Sequence, residues 1–136
     1  MTLKEILKNN KKSYTEERQI IFDIIKKIDH FDYSKISNYL EKKWINIWRA
    51  SIFRTIKLFL EINIIKIIYN KDGLTIYEYD NDEIHHEHMK CSNCSKIIEF
   101  DDSNLHDSFE KIAHKYNFNL KNHSLIFEWF CENCNK

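Results

Sequence analysis

Residues 50–79 read ASIFRTIKLFLEINIIKIIYNKDGLTIYEY, and the spacing of apolar residues changes once within them. Ile52, Ile56, Phe59 and Leu60 recur at helical spacing, and Asn63 stands where a helix end often needs a left-handed residue. Beyond it, Ile64–Tyr69 and Leu74–Tyr79 are β-branched and aromatic runs separated by Asn70-Lys71-Asp72-Gly73, whose Asp-Gly pair tolerates the positive φ of a tight hairpin. Upstream, Thr15 is an N-cap for a helix with Ile20, Ile21, Ile24, Ile25 and Ile28 on one face. After His30, Asp32 or Ser34 caps a second helix carrying Ile36, Tyr39 and Leu40, which ends near Lys42–Lys43. Three helices followed by a hairpin is the order of a winged helix-turn-helix, whose last helix enters the major groove of DNA. Arg49, Ser51, Phe53, Arg54 and Lys57 lie on or just before that helix, placed for phosphate contacts, base-edge hydrogen bonds and an apolar contact to a thymine methyl. The same pattern also suits a plain three-helix core with a solvated basic face. Trp44 and Trp48 are expected to pack around the turn between the second and third helices.

The second half reads strand, strand, helix, strand: Met89–Cys91, Ile97–Phe100, a helix with the stripe Leu105, Phe109, Ile112 and Tyr116, and Ser124–Phe130. All four cysteines fall into two Cys-x-x-Cys pairs, Cys91/Cys94 and Cys131/Cys134. Each pair puts two thiolates on one tight turn, and two such turns complete the four-sulfur shell of a structural zinc. The 36 residues between the pairs exceed the spacer of a compact zinc ribbon, so a folded segment must sit between them. Disulfides are the competing reading. Met1–Asn10 is charged and lacks the apolar core of a signal peptide, and a reducing, cytoplasmic setting favours metal over disulfides. A three-stranded sheet with one covering helix leaves apolar surface and a free edge, which a second copy would cover. The expected architecture is therefore α+β: a winged-helix DNA-binding domain over residues 1–80, a hinge at 81–84 in the acidic stretch Asp80–Glu83, and a small α/β metal-binding dimerisation domain over 85–136.

The charge divides along the same line. Residues 1–79 carry 15 Lys/Arg against 10 Asp/Glu, a balance of +5, and residues 80–136 carry 6 against 11, a balance of −5. A basic first half suits a polyanion, and an acidic, His-rich second half suits divalent cations. No apolar run approaches a membrane span. A metal hydrolase built on His85, His86, His88 and Glu99 would need a general base beside a pocket, and one glycine in 136 residues leaves no phosphate-cradling loop. A zinc-stabilised interaction protein explains the cysteines but gives the His/Glu constellation no task.

Several stretches together carry a resemblance: Thr15-x-x-Arg18; Ala50-Ser51-Ile52-Phe53-Arg54-Thr55; Tyr77-Glu78; His85-His86-Glu87-His88-Met89-x-Cys91-x-x-Cys94; Ile98-Glu99-Phe100; Asn122-His123-Ser124-Leu125; and Cys131-x-x-Cys134. From about Thr15 to Cys134 the chain resembles the ferric uptake regulator family. The resemblance implies a cytoplasmic homodimer that binds double-stranded operator DNA and represses genes when its sensing metal is bound. It places a structural Zn2+ on the four cysteines and a regulatory ion on His30, Glu78, His86, His88 and Glu99, with Fe2+ favoured and Mn2+ or Zn2+ as alternatives. Three imidazoles and two carboxylates form a borderline-hard shell that accepts all of these. His85, Glu87 and His123 match a further site, in which the carboxylate expected on the following helix is replaced by His106.

Other departures touch the DNA-reading segment. Phe53 stands for the usual tyrosine, Ser51 for threonine, and Trp48-Arg49 for smaller or apolar residues, while the family's arginine is kept as Arg54. Zinc sensors of the family often recruit a cysteine into the sensing site, and here every cysteine is committed to the two pairs. Peroxide sensors carry aspartate where Glu99 stands. Iron(II) is thus the expected effector, ahead of manganese, zinc or peroxide sensing.

Overall fold

The computed structural model describes residues 1–80, 85–121 and 123–135. The chain divides into two compact units, Met1–Asn81 and Asp82–Lys136. The hinge expected at 81–84 lies outside the described residues, as does Asn122.

The first unit holds helices α1 (Leu3–Asn9), α2 (Glu16–Ile25), α3 (Tyr33–Lys42) and α4 (Arg49–Glu61), and strands β1 (His30–Phe31), β2 (Ile65–Lys71) and β3 (Leu74–Tyr79). The expected caps form: Thr15 accepts from the Arg18 amide, and Asp32, rather than Ser34, accepts from the Lys35 amide. α4 ends as Asn63 turns to φ 56°, and the hairpin closes through Asp72 and Gly73 at φ 53° and 77°, a two-residue turn that matches strand twist. The chain then pairs β3 with β2 on one side and with β1 on the other. Ile21, Ile25, Ile36, Ile52, Phe59 and Ile65 are among the side chains that fill the interior between helices and sheet. This is the winged helix-turn-helix order.

Three features differ from the sequence reading. α1 is absent from the reading of apolar spacing; its Thr2–Glu5 capping box and the fully buried Leu3 and Leu7 hold it on the core. β1 is a two-residue strand, too short to show periodicity, and it sets His30 opposite Glu78. Trp44 and Trp48 do not pack around the turn: they are 95% and 79% exposed. Trp44 takes a left-handed φ of 57° just after α3, and the smaller Ile45 and Ile47 pack against the core instead.

The second unit holds β4 (Glu87–Cys91), β5 (Ile97–Phe100), α5 (Ser103–Lys115) and β6 (Ile126–Trp129), with sheet order β5-β4-β6. β4 runs antiparallel to β5 and parallel to β6. α5 is capped by Asp102 and buries no residue fully; Ile112 and Tyr116 of its apolar stripe are exposed, as are Ile98, Trp129 and Phe130. None of the described helices is long and apolar enough to cross a membrane.

Candidate metal centres and nucleic-acid interface

The parallel register Cys91↔Trp129 carries the end of the chain back beside the first Cys-x-x-Cys turn. Ser92 donates its amide to the Trp129 carbonyl at 2.9 Å, and the second turn closes with Cys134 and Asn135 amides on the Cys131 carbonyl, both at 2.9 Å. All four Sγ atoms consequently lie within 4.8 Å of one another. The cysteines are free thiols, and Cys94 and Cys131 stand 3.8 Å apart. That is far beyond a disulfide bond and close to the edge, about 3.8 Å, of a tetrahedron with metal–sulfur bonds of about 2.3 Å. Amide donation from Cys131 and Cys94 draws the Cys91 thiol down to about 6, favouring the thiolate that a metal requires. Asn93 Nδ2 donates to Cys134 Sγ at 3.4 Å. The donor set and its spacing fit a zinc.

The run His85-His86-Glu87-His88 is sorted by the two-residue period of an extended chain, which sends alternate side chains to opposite faces. His85 and Glu87 go to one face, where they meet His123 from before β6 and His106 from α5. Glu87 Oε1 lies 3.0 Å from His85 Nε2 and 2.7 Å from His123 Nε2, and Glu87 Oε2 accepts from the Leu125 amide at 3.1 Å. Phe109 of α5 lies against the His123 ring, centroids 5.1 Å apart.

His86 and His88 go to the other face. His88 sits opposite Glu99 in the β4–β5 register, and His86 Nε2 is 3.5 Å from Glu99 Oε1. The two imidazole rings are 4.9 Å apart. In the first unit, His30 and Glu78 form a cross-strand pair with Nε2 and Oε2 3.6 Å apart, and Glu78 is buried. Lys66 holds the other carboxylate oxygen at 3.0 Å and reaches Asp80 at 3.5 Å. Burial alone would favour the neutral amine, yet the Glu78 and Asp80 carboxylates outweigh it and hold Lys66 above its ordinary pKa. Each unit thus presents imidazole beside carboxylate.

α4 is amphipathic. Ile52, Thr55, Ile56 and Phe59 face the core, while Arg49, Phe53, Arg54 and Lys57 are exposed and Ser51 is half-buried between the faces. Arg54 Nη2 lies 3.4 Å from Ser51 Oγ. Phe53 does not stand alone: Tyr33 stacks on it with centroids 4.4 Å apart and planes 6° from parallel, and the Arg49 guanidinium lies 5.4 Å from both rings. Tyr33, Lys66 and the Asp101 carboxylate beside His106 were not singled out from sequence. No local pattern marks them, because each reaches its site through tertiary packing.

A winged helix joined to a small sheet unit rich in thiolate and imidazole clusters defines a metal-binding regulator of the winged-helix class. The ferric uptake regulator family model matches residues 9–128. The ferric uptake regulation protein of Campylobacter jejuni is 32% identical over 138 residues, covering 97% of this chain and 85% of the relative. That of Bordetella parapertussis is 30% identical, covering 96% and 94%. The crystal structure of the Vibrio cholerae ferric uptake regulator superposes with a TM-score of 0.85 at 26% identity, covering 93% of this chain and 98% of that one. A zinc-bound manganese uptake regulator superposes at 0.73 with 28% identity, over 96% of this chain and 99% of that one. This chain belongs to the ferric uptake regulator family, whose members are metal-responsive transcription regulators and not enzymes.

Proposed function

We infer that the chain is a cytoplasmic, homodimeric repressor that binds double-stranded operator DNA when its regulatory site holds iron(II). Residues 1–80 carry the DNA-binding face, 81–84 the hinge, and 85–136 the metal-binding and dimerisation surface. The single observation that carries this reading is the convergence of all four cysteines in one cluster, which leaves sensing to imidazole and carboxylate alone. Zinc fills the four-thiolate site. The regulatory ion takes His30 and Glu78 from the first unit and His86, His88 and Glu99 from the second. Ligands drawn from two units couple metal occupancy to the orientation of the DNA-binding face, which is what makes the binding allosteric. Arg49, Ser51, Phe53, Arg54 and Lys57 meet the DNA, Phe53 with the ring face that Tyr33 leaves free. A second copy covers the exposed apolar residues of the small sheet.

Iron is favoured over manganese and zinc by the likeness to the ferric uptake regulation proteins of Campylobacter jejuni and Bordetella parapertussis, and the borderline-hard donor set accepts it. Glu99, one methylene longer than aspartate, reaches an ion differently, so peroxide sensitivity is weak in this reading. The test is an anaerobic operator titration run separately with iron(II), manganese(II) and zinc(II). Iron(II) should give the tightest binding at physiological concentration, and equal affinity with and without any metal at fixed salt would overturn the sensor reading. Iron-loaded protein exposed to peroxide should gain no oxygen atom on His30, His86 or His88 by mass spectrometry, whereas Glu99→Asp should move it toward such oxidation.

A further inference from the structure

We propose that His106 makes the His85–Glu87–His106–His123 cluster a zinc-selecting site, with a metal preference different from that of the set containing Glu99. The contrast with an iron-selective regulatory set rests on the function proposed above; the preference of this cluster does not.

The geometry is already close to a coordination shell. Glu87 Oε1, His85 Nε2 and His123 Nε2 form a triangle with edges of 3.0, 2.7 and 2.8 Å. A tetrahedral zinc with bonds of roughly 2.0–2.1 Å needs edges of roughly 3.3–3.4 Å, so an outward shift of a few tenths of an ångström seats the ion. His106 supplies the fourth corner from α5, with its ligand atom within 4.8 Å of the others. The His106 ring packs edge-on to both partners, with centroids 4.9 Å from His85 and 5.0 Å from His123.

Charge argues the same way. The Glu87 side chain is 1% exposed and, among the described residues, no Lys or Arg pairs with it. A carboxylate removed from water needs a positive partner, and the convergent imidazoles leave room for a cation to be that partner. His106 Nε2 is itself sealed from solvent and makes no hydrogen bond, although Asp101 Oδ1 lies 3.2 Å away outside hydrogen-bonding geometry. Coordination of this ring gives the site three nitrogens and one oxygen. Imidazole suits zinc and the later divalent ions, whereas carboxylate oxygens suit manganese and magnesium. A carboxylate at position 106 would give two nitrogens and two oxygens with an extra negative charge, and would shift the balance toward the harder ions. Residue 106 therefore sets which metal the cluster holds.

The test uses the full-length protein with its cysteine-bound zinc in place and His88→Ala as the background, so that the Glu99 set is weakened. Zinc(II) is titrated in the presence of excess manganese(II), and both metals per chain are counted by elemental analysis. Cobalt(II) is added separately as a spectroscopic probe. The background protein should hold a second zinc per chain, and its cobalt form should show the intense visible bands of four-coordinate geometry. His106→Glu should lower the zinc-over-manganese preference by at least about tenfold, since even partners outside a metal's direct shell change affinity by that much, and should weaken the cobalt bands. His106→Ala, checked for folding by circular dichroism, should lose the second zinc while the cysteine-bound zinc stays. An unchanged preference in His106→Glu, or no second zinc in the background protein, would overturn the proposal. If His88→Ala leaves metal-responsive operator binding intact, the regulatory reading fails while the effect of position 106 on zinc preference is still decided.

Discussion

The two units are built on opposite principles. The first encloses an aliphatic and aromatic core of Leu3, Leu7, Ile21, Ile25, Phe31, Ile36, Phe59 and Ile65, each at most 2% exposed. The described residues of the second bury only Glu87, His88, Lys90 and Cys91. The hydrophobic effect can hold the first together unaided, because burial of large apolar side chains is its own driving force. The second unit buries ionisable groups and leaves its described apolar side chains, Cys91 aside, half-buried or exposed, which is unfavourable for a chain alone in water. In the function proposed above, ions on its thiolates and imidazoles and a second copy over Trp129 and its neighbours supply that order. The proposed function thus divides the stability of the chain: packing would sustain the winged helix, and coordination the sheet that would sense the metal.

The largest effects should break the second unit. Cys91→Ser or Cys131→Ser should lose the zinc proposed for the four-thiolate site and destabilise the proposed dimer, since such sites contribute on the order of 10 kcal/mol of folding free energy. Elemental analysis and sedimentation read the outcome; a mutant that stays dimeric with its zinc would contradict the division. The matching disruption of the first unit is Phe59→Ala, expected to cost about 3–5 kcal/mol. Its penalty in denaturant unfolding should be the same with and without added metal. A smaller effect sharpens the functional side of the comparison: Arg54→Ala should weaken operator binding by about 1–3 kcal/mol if the contact is to a base edge, with zinc content unchanged. The smallest is Thr15→Ala, which removes the cap on the Arg18 amide and should lower stability of the first unit by about 1 kcal/mol, visible in its thermal midpoint.

The same division explains what was legible in the sequence. In the first unit, local rules and tertiary packing agree: Thr15 and Asp32 cap as their residue types suggest, and Asp72-Gly73 turns the hairpin as its pairing requires. α1 shows no clear periodicity because its apolar residues, Leu3, Ile6 and Leu7, span less than two turns and are interleaved with charge, although the Thr2-x-x-Glu5 box is a readable signal. Trp44 and Trp48 defy the tendency of large aromatics to be buried, and only the path of the turn shows that Ile45 and Ile47 take the inner positions. In the second unit, the residue types announced metal chemistry, the Cys-x-x-Cys spacing joined the four cysteines, and the resemblance grouped His85, Glu87, His106 and His123 as the structure brings them together. The parallel pairing of β4 with β6 joins segments about 40 residues apart, and nothing local encodes it. The alternation of His85, His86, Glu87 and His88 between two faces was readable from the two-residue period once a strand was granted. Lys66 on Glu78 and Tyr33 on Phe53 emerge only when the chain is folded.

The division itself is tested most directly by amide hydrogen exchange on the zinc-loaded protein before and after treatment with a strong chelator. On metal removal β4, β5, β6 and α5 should lose protection while α2, α3, α4 and the β2–β3 hairpin keep theirs. Loss of protection in both units together, or full protection of the small sheet without metal, would contradict it.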